Sequence, residues 1–79
     1  MSAIDEILWL LKDGGWHELK EIKEKVALSK IKTEIAVSFL TEYNFILLSG
    51  KTKKFRLQSS TLKFIEEIQR LEKENALSH

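Results

Sequence analysis

The sequence contains no cysteine and no proline, and it has only three glycines and two histidines in 79 residues. Without cysteine there is neither a disulfide nor a thiolate metal site, so nothing in the composition points to an oxidising compartment, and we expect a cytoplasmic protein. His17 lies at the start of a predicted helix and His79 at the chain end, so neither fits a catalytic triad or a metal-ligand spacing. A glycine-rich phosphate loop is also missing. We therefore expect no enzymatic activity, no metal and no cofactor.

Long apolar runs are absent as well. The longest, Ile7–Leu11 and Phe45–Leu48, are far too short to cross a bilayer, and the first residues lack the basic and then apolar pattern of a secretion signal. A hydrophobic fraction of 43% with 32% charged residues is typical of a globular domain and not of a disordered chain. We expect one domain over residues 1–79, with a core too small to enclose a large cleft.

The charges that are present are unevenly distributed. The net charge is +1, but the segment Lys20–Arg56 carries nine Lys or Arg and four Glu, whereas the remaining residues carry four Lys or Arg and eight Asp or Glu. The middle of the chain is therefore basic and both ends are acidic. Such a local positive field attracts polyanions even when the net charge is near zero, which favours a nucleic-acid-binding face.

Capping residues and apolar spacing predict two helices in the first third of the chain. Ser2 and Asp5 form a capping-box pattern, and the first helix ends before Gly14, which suits a C-terminal cap. Trp16 is expected to form a one-residue strand stub or a staple. The second helix is predicted from about residue 17 or 18 to Val26.

Two more helices are predicted on either side of a hairpin. Ser29 is a good N-cap for the third helix, which runs to Tyr43, and Asn44 is expected to adopt a left-handed cap conformation. The fourth helix is predicted over residues 62–77, with hydroxyl caps before it. The core face of the third helix is predicted from its apolar stripe, which consists of Ala36, Leu40 and Tyr43, flanked by Val37 and Phe39.

The segment Phe45–Leu57 predicts a β-hairpin with a basic tip. Phe55 and Leu57 alternate with Lys54 and Arg56, as expected of a half-buried strand, and Gly50 supplies a residue that accepts positive φ in a tight turn. Four cations fall within six residues that contain no acid. They favour a polyanion-binding hairpin, although lysines also protect an edge strand from pairing with another chain.

The order of helices and hairpin resembles the winged helix-turn-helix domains of MarR-like, ArsR-like and small archaeal transcription regulators. Asn44 replaces the usual glycine of that pattern. The resemblance implies an α+β fold with a three-helix core, a two-stranded β wing and an additional C-terminal helix, in which the third helix enters the DNA major groove and the wing touches the backbone or minor groove. The matching positions are Leu19, Ile22, Leu28-Ser29, Leu40, Asn44-Phe45-Ile46 and Gly50.

By this reading the chain is a double-stranded DNA-binding protein, a small transcriptional regulator that uses the third helix and the basic wing. One phosphate contact per wing cation predicts a salt slope of roughly −4 from the wing alone. Residues of the second helix would contact phosphates beside the groove, or form a solvated face. The predicted DNA-binding residues are Lys20, Lys23, Lys30, Lys32, Thr33, Lys51, Lys53, Lys54 and Arg56.

Two features of the third helix favour an alternative. Glu34 and Glu42 would repel phosphate, and Ile31 and Ile35 lie at the fringe of the apolar stripe. We expect these isoleucines to pack beneath the first helix. If they are exposed instead, they would present an apolar edge to another protein, and the chain would be a winged-helix protein-interaction module without sequence-specific DNA binding.

The fourth helix, residues 62–77, carries a short heptad-like seam and is predicted to form a homodimer. Leu62 and Ile65 lie on an adjoining face that is expected to pack on the domain. A two-fold dimer would place two recognition helices about 34 Å apart on DNA. The competing hypothesis is that the helix only completes a monomeric core. The predicted dimerisation residues are Phe64, Ile68, Leu71 and Asn75.

Overall fold

The structure is a computed structural model, and it describes the backbone of residues 2–77 and the side chains of residues 2–74. It has an α+β architecture, as predicted, with four helices and a three-stranded antiparallel sheet in these residues. A short 3₁₀ turn, Leu11–Asp13, extends the first helix. The elements are α1 (Ala3–Leu10), β1 (His17–Glu18), α2 (Leu19–Val26), α3 (Lys30–Glu42), β2 (Ile46–Leu48), β3 (Lys54–Leu57) and α4 (Ser59–Leu77).

The predicted caps of α1 and α3 are confirmed, whereas α4 begins at Ser59 and not at Leu62, so the hydroxyl residues expected to precede it form its first turn. The Ser2 hydroxyl accepts a hydrogen bond from the Asp5 backbone N–H at 3.2 Å, and the Asp5 carboxylate accepts one from the Ser2 backbone N–H at 3.4 Å. Gly14 follows the 3₁₀ turn with a φ of 77°, and Asn44 follows α3 with a φ of 63°. The Ser29 hydroxyl accepts from the backbone N–H three residues on, so α3 begins where its sequence predicts.

The sheet has one strand more than predicted. β1 pairs with β3, and the strand order is β1-β3-β2, whereas the sequence placed only a stub at Trp16 and a two-stranded hairpin. His17 lies opposite Phe55, and Glu18 lies opposite Lys54. β1 was not predicted because two residues are too few to show the alternation of apolar and polar side chains that indicates a strand. β1 forms because the free edge of β3 offers backbone groups that need partners.

The hairpin turn also differs from the prediction. Five residues, 49–53, connect β2 to β3, and the positive φ of 54° falls on Lys53, whereas Gly50 has none. The turn is closed by the Ser49 N–H, which donates to the Lys54 carbonyl at 2.8 Å, and by the Lys53 N–H, which donates to the Ser49 carbonyl at 3.0 Å. The turn is therefore wider than the tight turn expected at Gly50.

One hydrophobic core lies between the sheet and the first three helices. α4 adds Leu62 and Ile65 at its margin, as predicted, and none of its described side chains beyond Ile65 is buried. No described helix is both long enough and apolar enough to cross a membrane. The buried apolar residues are Ile7, Leu11, Ile22, Val26, Val37, Leu40, Ile46, Phe55 and Leu57.

The core face of α3 is rotated relative to the prediction. Leu40 and Val37 are buried as predicted, but Tyr43 and Phe39, which were assigned to the core, are 60% and 46% exposed, and Thr33 is fully buried instead. The Thr33 hydroxyl donates to the Ser29 carbonyl at 2.8 Å, which removes the cost of burying it. A threonine counts as polar in a sequence pattern, so the pattern favoured the larger aromatic residues.

Candidate nucleic-acid interface

Lysines from two helices converge on one groove. Lys20 and Lys23 of α2 and Lys30 of α3 line a groove of about 410 Å³ together with Leu19 and Thr33, and we call it the lysine groove. No carboxylate lines it. Ile22 and Val26 turn the opposite face of α2 into the core, so the helix spacing itself directs the two α2 lysines outward. Three of the predicted cations are thereby brought together.

Two other predicted residues do not belong to this arrangement. The Lys32 side chain lines a different groove, between α1 and α3. Thr33 touches the lysine groove but its side chain is fully buried, and its hydroxyl is already bonded to the Ser29 carbonyl. The prediction that Thr33 contacts DNA is therefore wrong, because no part of that side chain reaches the surface.

Two of the four hairpin cations contact another described side chain, and two do not. Lys51 and Lys53 lie at the hairpin tip, are exposed, and form no ion pair with any described residue. Lys54 Nζ lies 4.0 Å from Glu18 Oε1 of β1. The Arg56 guanidinium carbon lies 5.1 Å from the ring centroid of Trp16. Only the hairpin tip is free of local partners.

The partners of Lys54 and Arg56 were missed in the sequence. Both lie beside β3 because β1 adds to the sheet there, and β1 was not predicted. The only indication in the sequence was that Trp16 and Glu18 are spaced two residues apart, as are their partners Arg56 and Lys54. Such a match has no value until the strand register is known.

The lysine groove and the hairpin flank the same side of α3. Lys30 and Thr33 line the lysine groove, while Val37 and Thr41 line a cleft of about 320 Å³ with Leu48 and Phe55 of the hairpin. Their spacing of three and four residues places these α3 positions on one helix face. Exposed Glu34 and Ser38 lie next to that face. The surface therefore has the lysine groove at one end and the hairpin at the other, with Glu34 next to it and Glu42 lining its cleft.

Ile31 and Ile35 do not pack beneath α1 as expected. They are 69% and 65% exposed, so the alternative interpretation, an apolar edge on α3, is the one that the structure matches. The reason is the rotation of α3 described above, which turns Thr33 and Val37 inward and both isoleucines outward.

The buried ring of His17 lies between two more exposed carboxylates. His17 is 8% exposed, its Nδ1 lies 2.9 Å from Glu21 Oε2, and its Nε2 lies 2.9 Å from Asp13 Oδ1. Burial alone would lower the pKa of His17, but hydrogen bonds to Asp13 and Glu21 and the charges of both carboxylates outweigh it and leave the pKa raised. The same hydrogen bond lowers the pKa of Asp13. The signal in sequence was an acid four residues before and after the histidine.

The predicted dimerisation seam is exposed. Phe64, Ile68 and Leu71 are 65%, 39% and 43% exposed, and the side chain of Asn75 lies outside the described residues. Phe64 and Ile68 line an apolar groove of about 190 Å³ with Leu8 and Trp9 of α1. The first helix therefore adjoins the seam.

The chain matches no family model and no curated protein. Among the described residues, no group of three or more His, Asp or Glu side chains is arranged to hold a metal ion.

Proposed function

We propose that this chain is a winged helix-turn-helix protein that binds double-stranded DNA through phosphate contacts and acts as a small transcriptional regulator. The convergence of Lys20, Lys23 and Lys30 on one groove without carboxylates carries the proposal. Side chains that lie ten residues apart in sequence form one positive site, and the free hairpin tip flanks the same side of α3. Lysines at two edges of a helix face suit the two phosphate strands that border a groove.

The element order supports the winged-helix assignment. α2 and α3 are joined by a short turn in which Ala27 has a φ of 57°, and β2 and β3 form the hairpin that corresponds to the wing. β1 adds a third strand next to β3, so the hairpin is anchored to the body of the domain. These features fit the fold that the sequence resembles.

The polar groups of α3 favour affinity over sequence readout. The Thr41 hydroxyl already donates to the Val37 carbonyl at 2.7 Å, and Glu34 repels phosphate. Specific base reading depends on bidentate donors such as Arg, Asn or Gln, and α3 contains none of these. Binding is therefore dominated by lysine contacts with the DNA backbone, which carry little sequence information.

Alanine substitution of the lysine groove tests the proposal. The triple variant Lys20→Ala/Lys23→Ala/Lys30→Ala is expected to lower the magnitude of the log–log salt slope by about 2.7, which is about 0.9 for each lost phosphate contact. A matched triple, Lys12→Ala/Lys63→Ala/Lys73→Ala, removes the same charge from other surfaces. Gel-shift or fluorescence titration with a duplex at several salt concentrations measures both. An equal loss in the two triples would contradict the proposal, since only net charge would then matter.

In this proposal the chain acts as a homodimer that forms through α4. Its seam of Phe64, Ile68 and Leu71 is exposed, and α4 packs on the core through Leu62 and Ile65. Helices without tertiary packing are marginal in water, so a projecting helix with an apolar stripe gains stability from a second copy. Two lysine grooves on one dimer would then engage one duplex.

A second candidate function, protein interaction, is favoured by one observation. Ile31 and Ile35 are the most exposed apolar residues of α3, and both lie beside the proposed DNA-facing side and not on it. They define a separate surface.

A further inference from the structure

α3 carries a row of exposed apolar side chains that we call the α3 ridge. Ile31, Ile35, Phe39 and Tyr43 follow one another at four-residue spacing, and they are 69%, 65%, 46% and 60% exposed. A row of this spacing is the ridge used in the commonest class of helix–helix packing. It is about 18 Å long, so a second helix of similar length could cover it.

Two grooves border the α3 ridge. On the side of α1, Ile4 and Ala36 line an apolar groove of about 390 Å³ together with Ile35 and Phe39. On the other side lies a groove of about 510 Å³. The rings of Phe39 and Tyr43 pack with their centroids 4.7 Å apart, so half of the ridge is ordered before any partner binds, which lowers the entropy cost of association.

One edge of the α3 ridge is acidic. Glu34 and Glu42 line the larger groove beside Ser38, again at four-residue spacing, and we call the two glutamates the acidic edge. Neither forms an ion pair within residues 2–74. Lys30 lies one turn before Glu34 on α3, whereas Glu42 has no Lys or Arg within eight residues of it in sequence.

The charges decide which occupant fits. DNA is excluded from this surface because its phosphates would meet the acidic edge. A second copy fits poorly: in an antiparallel pair Glu42 of one copy approaches Glu34 of the other, and in a parallel pair only Glu34 can meet Lys32. A helix with cations along one side of its apolar face satisfies both glutamates.

We propose that the α3 ridge and its acidic edge dock an amphipathic helix of another protein that carries Lys or Arg along one edge of its apolar face. The mode is helix-in-groove recognition, in which apolar anchors at three- and four-residue spacing give affinity and the basic edge gives orientation. The apolar side chains of the ridge line neither the lysine groove nor the cleft beside the hairpin, whereas Glu42 of the acidic edge lines that cleft as well.

Two synthetic peptides test the inference. Each is a helix of about 18 residues, some 27 Å long, with leucine on one face, and they differ only in carrying Lys or Glu along one edge of that face. Titrated into the ¹⁵N-labelled full chain, the Lys-edged peptide is expected to bind about tenfold more tightly than the Glu-edged peptide, because two glutamates change from attraction to repulsion. The amide shifts should concentrate on residues 31–43.

Matched variants locate the binding surface. Ile31→Ser/Ile35→Ser should abolish binding of the Lys-edged peptide, whereas Phe64→Ser, an equally exposed apolar residue of α4, should leave it unchanged. Glu34→Gln/Glu42→Gln should remove the preference between the two peptides, and Glu66→Gln/Glu72→Gln on α4 should not. Because all seven side chains are exposed, each variant retains the core.

Three results would overturn the inference. The first is equal affinity for the two peptides, and the second is binding that survives Ile31→Ser/Ile35→Ser. The third is a dimer in the peptide-free protein that dissociates on Ile31→Ser/Ile35→Ser, since a second copy would then be the occupant of the ridge.

Discussion

His17 joins two segments of the chain through its ring. Asp13 precedes the glycine turn after α1 and Glu21 belongs to α2, and each accepts from one ring nitrogen at 2.9 Å. The imidazolium can donate to both carboxylates, whereas the neutral ring has one N–H and leaves one carboxylate facing a lone pair. The protonated histidine therefore ties the start of the sheet to α2.

The stability of the fold should fall on the alkaline side of neutrality. The folded-state pKa of His17 is raised above its ordinary value of 6.5, so its stabilisation is complete below about pH 6.5 and is lost as the pH rises through the folded-state value. Urea unfolding at pH 6 and pH 9 should show a lower free energy of unfolding at pH 9 for the natural chain. His17→Gln should be less stable at pH 6 and lose this pH dependence.

His79→Gln is the control, because it removes the second histidine of the sequence and leaves the cluster intact. If the natural chain has the same free energy of unfolding at pH 6 and pH 9, His17 does not act as described.

Glu34 is the residue that conflicts most directly with DNA binding. It is exposed next to the face that joins the lysine groove to the hairpin. Glu34→Gln should raise duplex affinity at low salt by about threefold, since one repulsive charge near phosphate is removed, and the gain should shrink as salt screens it. Glu66→Gln on α4 gives the same change in net charge. A similar gain in both variants would show that Glu34 does not face the duplex.

At the scale of elements, the two cations at the hairpin tip and the two that contact β1 and Trp16 should have different effects when substituted. The exposed tip, Lys51 and Lys53, is free to contact phosphate, so Lys51→Ala/Lys53→Ala should lower the magnitude of the salt slope by about 1.8 with little change in stability. Arg56→Ala should lower the free energy of unfolding by about 0.5–1 kcal/mol, because it loses the contact with Trp16. Chemical denaturation and duplex titration measure the two effects separately.

A second substitution at Arg56 separates the effect on stability from the effect on DNA binding. Arg56→Lys keeps the charge but loses the planar stacking of the guanidinium on the ring, so it should be destabilised as Arg56→Ala is, while its salt slope stays that of the natural chain. If the tip variant is the destabilised one instead, the assignment of free and engaged cations is wrong.

α4 should depend on a second copy for its outer turns. Ile68→Ser/Leu71→Ser is expected to convert a dimer at tens of micromolar into a monomer and to reduce helical signal, because the seam residues are exposed in one protomer and short helices are marginal alone. Sedimentation and circular dichroism measure the two changes. Lys73→Ser alters the same helix outside the seam and should do neither. A natural chain that sediments as a monomer would contradict the dimer.

At the scale of the whole molecule, salt dependence reports the number of cations in use. The lysine groove and the hairpin tip offer five lysines, which predicts a slope of about −4.5 for one protomer and about −9 for a dimer with both sites engaged. The Ile68→Ser/Leu71→Ser variant should therefore halve the slope measured with the natural chain. An unchanged slope would show that the number of phosphate contacts does not depend on dimerisation.

Local chemistry was legible in the sequence. Capping at Ser2, Ser29 and Asn44 depends on hydrogen bonds and φ preferences within a few residues, so the helix ends were predicted well. The alternation around Phe55 placed β3 for the same reason. The charge count identified the basic middle of the chain, although it could not show which lysines would share a groove.

Tertiary structure decided what depends on pairing and rotation. β1 exists because β3 needs an edge partner, and it changes the roles of Lys54 and Arg56 by bringing Glu18 and Trp16 beside them. The rotation of α3 follows from the burial of Thr33, which only a bonded hydroxyl permits. The sequence by itself determined the four helices, the two hairpin strands and the basic segment. Only the packing of those elements decided which cations are free, and which apolar residues became core or surface, because both depend on neighbours distant in the chain.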